Sequence, residues 1–230
     1  PYGNWGSRKS LMASLDQSLV RMGLDYVDVF YSHRYDPETP LEETMQALVD
    51  IVRQGKALYV GLSKYPAGKA EEAYRYLEAR DVHCLLYQGR YNLFDRAPEE
   101  EGILGQARAY GVGFIAFSPL AQGLLTSRYL QGVPEDSRMA QGRFLKREVL
   151  TEAVLGKIKA LDRVAAERGQ TLAEMSLAWV LKDELVTSVI IGASSVAQLE
   201  DNLKALRKVD FSKEEADRIE AICHTPDGGQ

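Results

Sequence analysis

The chain has 230 residues, 45% hydrophobic, 27% charged and 9% aromatic, a globular composition that excludes general disorder and leaves room for a substantial core. Its 28 Lys and Arg and 33 Asp and Glu are interspersed and give a net charge of −5, which argues against a broad nucleic-acid-binding face. Cys84 and Cys223 lie far apart with no CxxC or Cys/His cluster, so neither a disulfide framework nor a metal site is encoded and the reducing cytoplasm is the default compartment.

No apolar run reaches the ~18 residues of a membrane helix, and PYGNWGSRKS lacks the apolar stretch of a signal peptide. Beginning at Pro1 without a Met, it reads as a chain entered in mid-architecture. The first helix is expected from Ser10 to Met22, where Leu11, Leu15, Leu19 and Met22 recur at three-to-four spacing and Gly23 stops it. A strand, YVDVFYSH, follows from Tyr26 to His33. The next helix has Thr39 as its expected N-cap, Pro40 at the first helical position and Gly55 at its end. Then come the strand Leu58 to Ser63, a helix from Pro66 to Ala79, the strand Cys84 to Gln88, a helix from Glu100 to Tyr110 and the strand Phe114 to Ser118. A long polar segment from Leu120 to Thr151 breaks the rhythm, and a loop of that length is usually functional or mobile. Helices are expected again at Thr151 to Arg168, Thr171 to Lys182 and Ser195 to Leu206, with the strand SVIIG at Ser188 to Gly192. Nothing is assigned beyond Leu206, which leaves His224 in a polar tail.

Strands alternating with helices imply an α/β fold with a parallel sheet, and near-continuous apolar runs imply strands buried on both faces. A doubly wound sheet and a (β/α)8 barrel both fit. No GxGxxG follows a strand, and Gly23, Gly55, Gly111 and Gly169 end helices instead, so the barrel is the better reading.

In a barrel the chemistry sits where strands end. His33, Ser63 with Lys64, Gln88, Ser118 and the turn Gly192-Ala193-Ser194-Ser195 occupy those positions. They supply donors and acceptors for a polar, phosphate-bearing ligand. The turn enters a helix N-terminus that would favour phosphate, although simple capping by Ser explains it equally well. A lone His is more often structural, but His33 closes a strand at the rim and can donate or titrate near neutral pH. His83 precedes a strand, at the opposite end.

The segments DVFYSHRYDPETPLEET, GKALYVGLS, FSPLAQGLLTSRYLQGVPEDSR and IIGASSVAQLEDNL together resemble the aldo-keto reductases. The likeness is closest to the branch of bacterial L-glyceraldehyde 3-phosphate reductases and potassium-channel β subunits. It implies a TIM barrel of which this chain carries about the last five βα units, a single barrel domain over residues 1–230. It also implies NADPH-dependent reduction of small aldehydes or ketones, glyceraldehyde 3-phosphate and methylglyoxal among them, by a homo-oligomer; the charge, hydropathy and cysteine usage above add the expectation of a cytoplasmic protein with no nucleic-acid or membrane partner.

In the family, hydride passes to the carbonyl carbon, a Tyr activated by a Lys and Asp gives the proton, and a His polarises the carbonyl. His33 matches that His, where channel subunits carry Asn. By position, Ser63 and Gln88 would hold the nicotinamide carboxamide beside Lys64, with Phe117 stacked on the ring in place of the usual Trp or Tyr. Ser118, Pro119, Leu120, Ala121 and Gln122 would line the pyrophosphate path under Arg128 and Arg138, which would otherwise read as solvated loop charge. Gly192, Ser194, Gln198, Asp201 and Asn202 would hold the adenosine and its 2′-phosphate. The family's Asp, Tyr and Lys would precede Pro1, and Tyr2 does not match the Tyr by position. Roughly 90 residues, at about 30 per βα unit, would then be absent. The alternatives are a nucleotide-sensing regulatory subunit, or an inert fragment with an open sheet edge.

Overall fold

A computed structural model describes residues 5–130, 149–182 and 184–224. Helix α1 runs Arg8–Met22, with the Ser7 side chain accepting from Ser10 N and the left-handed Gly23 closing it. It buries Leu11, Leu15 and Leu19, whereas Met22, expected on the same face, is 52% exposed. Strand β1 is Val27–Ser32, α2 Leu41–Arg53 and β2 Ala57–Ser63. Thr39 does not cap α2: Pro40, in extended conformation, is the N-cap. Thr39 instead donates its hydroxyl to Asp36 Oδ2 at 2.8 Å.

Helix α3 covers Ala67–Glu78 and β3 Cys84–Arg90, two residues beyond the expected Gln88. The helix expected over Glu100 to Tyr110 is split. A short turn, α4 (Ala97–Glu100), is separated from α5 (Ile103–Ala109) by Gly102, whose left-handed backbone cannot continue a helix. Strand β4 is Gly113–Phe117. Then come α6 (Glu152–Glu167), α7 (Leu172–Val180), the short β5 (Ser188–Ile190), α8 (Val196–Leu203) with a 3-10 turn at Lys204–Arg207, and α9 (Lys213–Cys223). Helix α9 lies in what reads as a polar tail. Its signal was local, since Ser212 and Glu215 form a capping box like that of Thr171 and Glu174 on α7.

The strands form one sheet in the order β1-β2-β3-β4-β5, parallel where β1 meets β2 and β2 meets β3. Sequence order equals spatial order, as βα units added in one direction require, and the arrangement is that of part of a (β/α)8 barrel. Burial on both faces holds for the end of β2 but not for β1 or β5, which flank the order and are largely half-buried or exposed. No helix among the described residues is long and apolar enough to cross a membrane.

Two compact units divide the chain, Pro1–Gly89 with Pro98–Ile115, and Arg90–Ala97 with Ala116–Gln230, the division passing through β4. In the first, α2 carries the core, with Met45, Leu48, Val49 and Ile51 fully buried, and Leu62 and Leu77 join them. In the second, Ile158, Leu161, Met175, Trp179 and Ile219 are buried. Arg168 is fixed there by the Asp210 carbonyl at 3.0 Å, Glu215 at 2.5 Å and the Phe211 ring.

Tyr74 is buried in the first unit, its ring tilted 42° against that of Tyr110, with no hydrogen-bond partner for its hydroxyl. Burial raises its pKa, and the unmet hydroxyl costs about 1 kcal/mol or more. Tyr74→Phe therefore raises stability by about 1 kcal/mol in urea titration at unchanged m-value, whereas a loss would mean that the hydroxyl is paired.

Candidate functional site

In the first unit the strand ends bring several expected residues together. Ser63 ends β2 and is the ladder partner of Gln88 on β3, while Ser32, the last residue of β1, pairs with Leu62. His33 is the first residue off β1, beside that row. Ser63 is buried, Gln88 half-buried, and His33 and Lys64 exposed. Gln88 does not close its strand as the sequence suggested. It lies within β3, and the turn begins after Arg90.

Tyr31 joins them, a residue that the strand-end pattern does not single out. It shares a face with His33 because strand side chains alternate. Its ring lies so closely over Gly61 that a Cβ there would stand 2.5 Å from Tyr31 Cε1. Glycine on β2, the strand between them, thus lets Tyr31 of β1 reach towards Gln88 of β3. Burial raises the Tyr31 pKa, and an interaction with the Gln88 side chain partly offsets this. A glycine inside a strand was the available signal.

Lys64 turns into the left-handed region, with φ of 54°. The next residue is clamped: Tyr65 N donates to Tyr87 Oη at 3.0 Å, and Tyr87 Oη donates to the Tyr65 carbonyl at 2.8 Å. The Ser32 and Tyr65 hydroxyls lie 2.7 Å apart. Burial pushes both tyrosines up to about 12, so they stay protonated near neutrality and act as hydrogen-bonding struts. His33 moves the other way. Desolvation, then the charges of Lys64 and Arg34, hold its pKa below 6.5, leaving a neutral imidazole whose N–H can donate at pH 7.

The second unit holds the remaining expected residues. After β4, Ser118, Ala121 and Gln122 have φ of 53°, 47° and 59°. Left-handed backbone costs a residue with a side chain roughly 1 kcal/mol or more, and such strain gathers where ligands bind. Among the described residues Asp81 is the one other non-glycine case beside these and Lys64, and it belongs to the turn ending α3. Leu120 followed by Ala121 places a residue near the right-handed region before a left-handed one, the backbone form that gathers N–H groups around anions. Pro119 is buried, Leu120 and Phe117 half-buried, and Gln122 Oε1 is buried without a partner. Arg128 is exposed after a turn in which its backbone N–H donates to Thr126 Oγ1 at 3.2 Å. Arg138 lies outside the described residues.

Gly192 and Ser194 are exposed beyond β5. Ser195 caps α8, accepting from Gln198 N at 3.2 Å, so the capping alternative is correct for that residue. Gln198 Oε1 accepts from Ser194 N at 2.8 Å and Ser194 Oγ at 3.0 Å, bringing two expected ligand-binding residues together. Asp201 is exposed and paired with Lys204 at 2.6 Å. Asn202 is only 6% exposed, and its Nδ2 has no partner. Gln122 thus leaves an unmet acceptor and Asn202 an unmet donor, each of which a polar ligand could satisfy.

The model of the aldo/keto reductase family matches residues 1–224. The L-glyceraldehyde 3-phosphate reductase of Escherichia coli O157:H7 is 51% identical over 232 residues, 99% of this chain and 66% of that protein. A probable voltage-gated potassium channel β subunit of Oryza sativa subsp. japonica is 38% identical over 95% of this chain and 68% of its own length. A crystal structure of a thermostable aldo-keto reductase with the inhibitor epalrestat superimposes with a TM-score of 0.72 at 30% identity, covering 94% of this chain and 67% of that one. The chain thus spans 66% of the length of the reductase it matches.

Because the charge of Lys64 adds to desolvation in holding the His33 pKa down, Lys64→Met moves the His33 midpoint upward in an NMR titration of the imidazole Cε1–H. A midpoint that does not move would remove that charge from the site. The lowered pKa also means that the folded chain binds fewer protons than the unfolded chain just below pH 6.5, so this group's contribution makes stability fall on acidification through that window.

Proposed function

The chain belongs to the aldo/keto reductase family, and on that premise we propose that it carries the nucleotide- and substrate-facing residues of an NADPH-dependent reductase of small aldehydes. The observation that carries the reading is the concentration of strain and unmet polar atoms at the expected positions. Lys64, Ser118, Ala121 and Gln122 are left-handed, and Gln122 and Asn202 each present a buried polar atom without a partner.

Ser63 and Gln88 would bind the nicotinamide carboxamide, whose amide both donates and accepts, with Tyr31 fixing the Gln88 side chain and Lys64 alongside. Phe117 would stack on the ring, and Ser118 to Gln122 would meet the pyrophosphate under Arg128, a role also proposed for Arg138. Gly192, Ser194, Gln198, Asp201 and Asn202 would take the adenosine end and its 2′-phosphate. When bound, the cofactor supplies the hydride. His33, kept neutral by desolvation and by Lys64 and Arg34, donates an N–H hydrogen bond to the carbonyl oxygen and stabilises the negative charge that develops there. Lys64 and Arg34 also provide cationic contacts for a phosphate-bearing substrate, which supports glyceraldehyde 3-phosphate ahead of methylglyoxal.

We read residues 1–230 as part of one barrel domain of a cytoplasmic homo-oligomer with no nucleic-acid partner. The second reading, a nucleotide-binding regulatory subunit, draws on the channel-subunit relative. Steady-state assays of the full-length protein separate the two. The reductase reading expects aldehyde-dependent NADPH oxidation, a higher kcat/KM for glyceraldehyde 3-phosphate than for glyceraldehyde, and a fall of about a hundredfold in kcat for His33→Ala, the cost of losing one such donor. NADPH binding without turnover across a broad aldehyde panel would favour the regulatory reading.

A further inference from the structure

Asn92 lies just past β3 and is fully buried, at 0% exposure. A buried amide is tolerated when its donors and acceptors are met, and here the partners divide into two sets. Its Oδ1 accepts from Phe94 N at 2.9 Å and Asp95 N at 3.0 Å, closing the turn that leaves β3. Its Nδ2 donates to the Ser118 carbonyl at 3.0 Å. Ser118 O also accepts from Ala121 N at 2.9 Å, so that one carbonyl anchors both ends of the left-handed turn. The preceding residue is tied to the same segment, Tyr91 N donating to Phe117 O at 3.4 Å.

We propose that Asn92 is a positioning residue for nucleotide binding: its amide holds the Ser118 carbonyl, and with it the strained backbone of Ser118 to Gln122, in the orientation that receives the ligand. The inference rests on the proposed nucleotide-binding function. Three residues with side chains, at positions 118, 121 and 122, are left-handed within one short turn, a conformation that persists only when surrounding groups determine it. The turn's own bonds, from Ala121 N to Ser118 O and from Gly123 N to Leu120 O at 2.8 Å, join it to itself and do not set its direction. Asn92 Nδ2 does, because it comes from a buried side chain fixed on its other side by two backbone donors. Asn92 need touch neither nucleotide nor substrate for this.

Its two atoms can be tested separately. Asn92→Asp keeps an oxygen that accepts from Phe94 and Asp95 but turns the donor facing Ser118 into an acceptor, whereas Asn92→Ala removes both functions. In the full-length protein, NADPH binding is followed by quenching of intrinsic fluorescence, and folding by thermal midpoint and circular dichroism. The expected result is a Kd about tenfold weaker for Asn92→Asp, the loss of one good hydrogen bond, with parental circular dichroism. The Kd ratio should be the same at low and high salt, because a re-aimed turn is not restored by screening.

Parental affinity in Asn92→Asp would overturn the inference and leave the proposed function standing. So would a deficit that vanishes at high salt, since simple repulsion by the new carboxylate would then account for it. A folded Asn92→Ala that binds as tightly as the parent would overturn it as well, without dependence on the Asp variant. Failure of the parent to bind NADPH would overturn the proposed function and this inference together.

Discussion

A residue with a side chain does not stay in the left-handed region unless something outside it holds it there. That constraint governs the ends of β2 and β4 in this protein. Lys64 is followed by Tyr65, gripped at both N–H and carbonyl by Tyr87. Ser118 is gripped at its carbonyl by Asn92. In each case the holding side chain is buried and lies on or just after β3, next in the sheet to the strand whose end it controls. The buried polar groups are therefore part of how the rim acquires its shape.

Packing and chemistry meet in the same way at Gly61. Strand β2 gives up a side chain there, which lets the Tyr31 ring lie on the backbone and approach Gln88. The cost is a weaker strand position. The return is an amide with a neighbour to orient it, on the row of ladder partners that includes Ser63. His33 stands at the end of that row with its proton affinity lowered by desolvation and by nearby positive charge. That suits a neutral hydrogen-bond donor rather than an imidazolium.

Much of the fold was legible along the chain. Alternating strands and helices, glycines ending helices and the absence of a dinucleotide fingerprint pointed to part of a barrel, and the sheet runs in sequence order as that architecture requires. The misses have local causes. Pro40 rather than Thr39 is the cap because its backbone is still non-helical while its carbonyl already accepts from Glu43 N and Thr44 N. Gly102 cut a helix that periodicity ran together. Helix α9 is largely polar, with Ile219 its one buried residue, so apolar spacing does little to announce it; its local signal is the capping box of Ser212 and Glu215. Of the expected site residues, Ser63 and Gln88 meet as ladder partners and Ser194 and Gln198 as hydrogen-bond partners, whereas Asp201 is engaged by Lys204.

The sequence by itself determined where the strands lie, with ends within two residues of those observed, because hydrophobic period and stop signals are properties of neighbours along the chain. With its motifs it also determined the resemblance on which the functional reading rests. Tertiary structure alone decided what holds those residues in place. Tyr31, Tyr87 and Asn92 act on partners 57, 22 and 26 residues away in sequence, at Gln88, Tyr65 and Ser118. No local pattern encodes which buried hydroxyl or amide will meet which carbonyl. That choice is made only when strands pair, since pairing brings the groups within hydrogen-bonding distance and burial makes leaving them unmet costly.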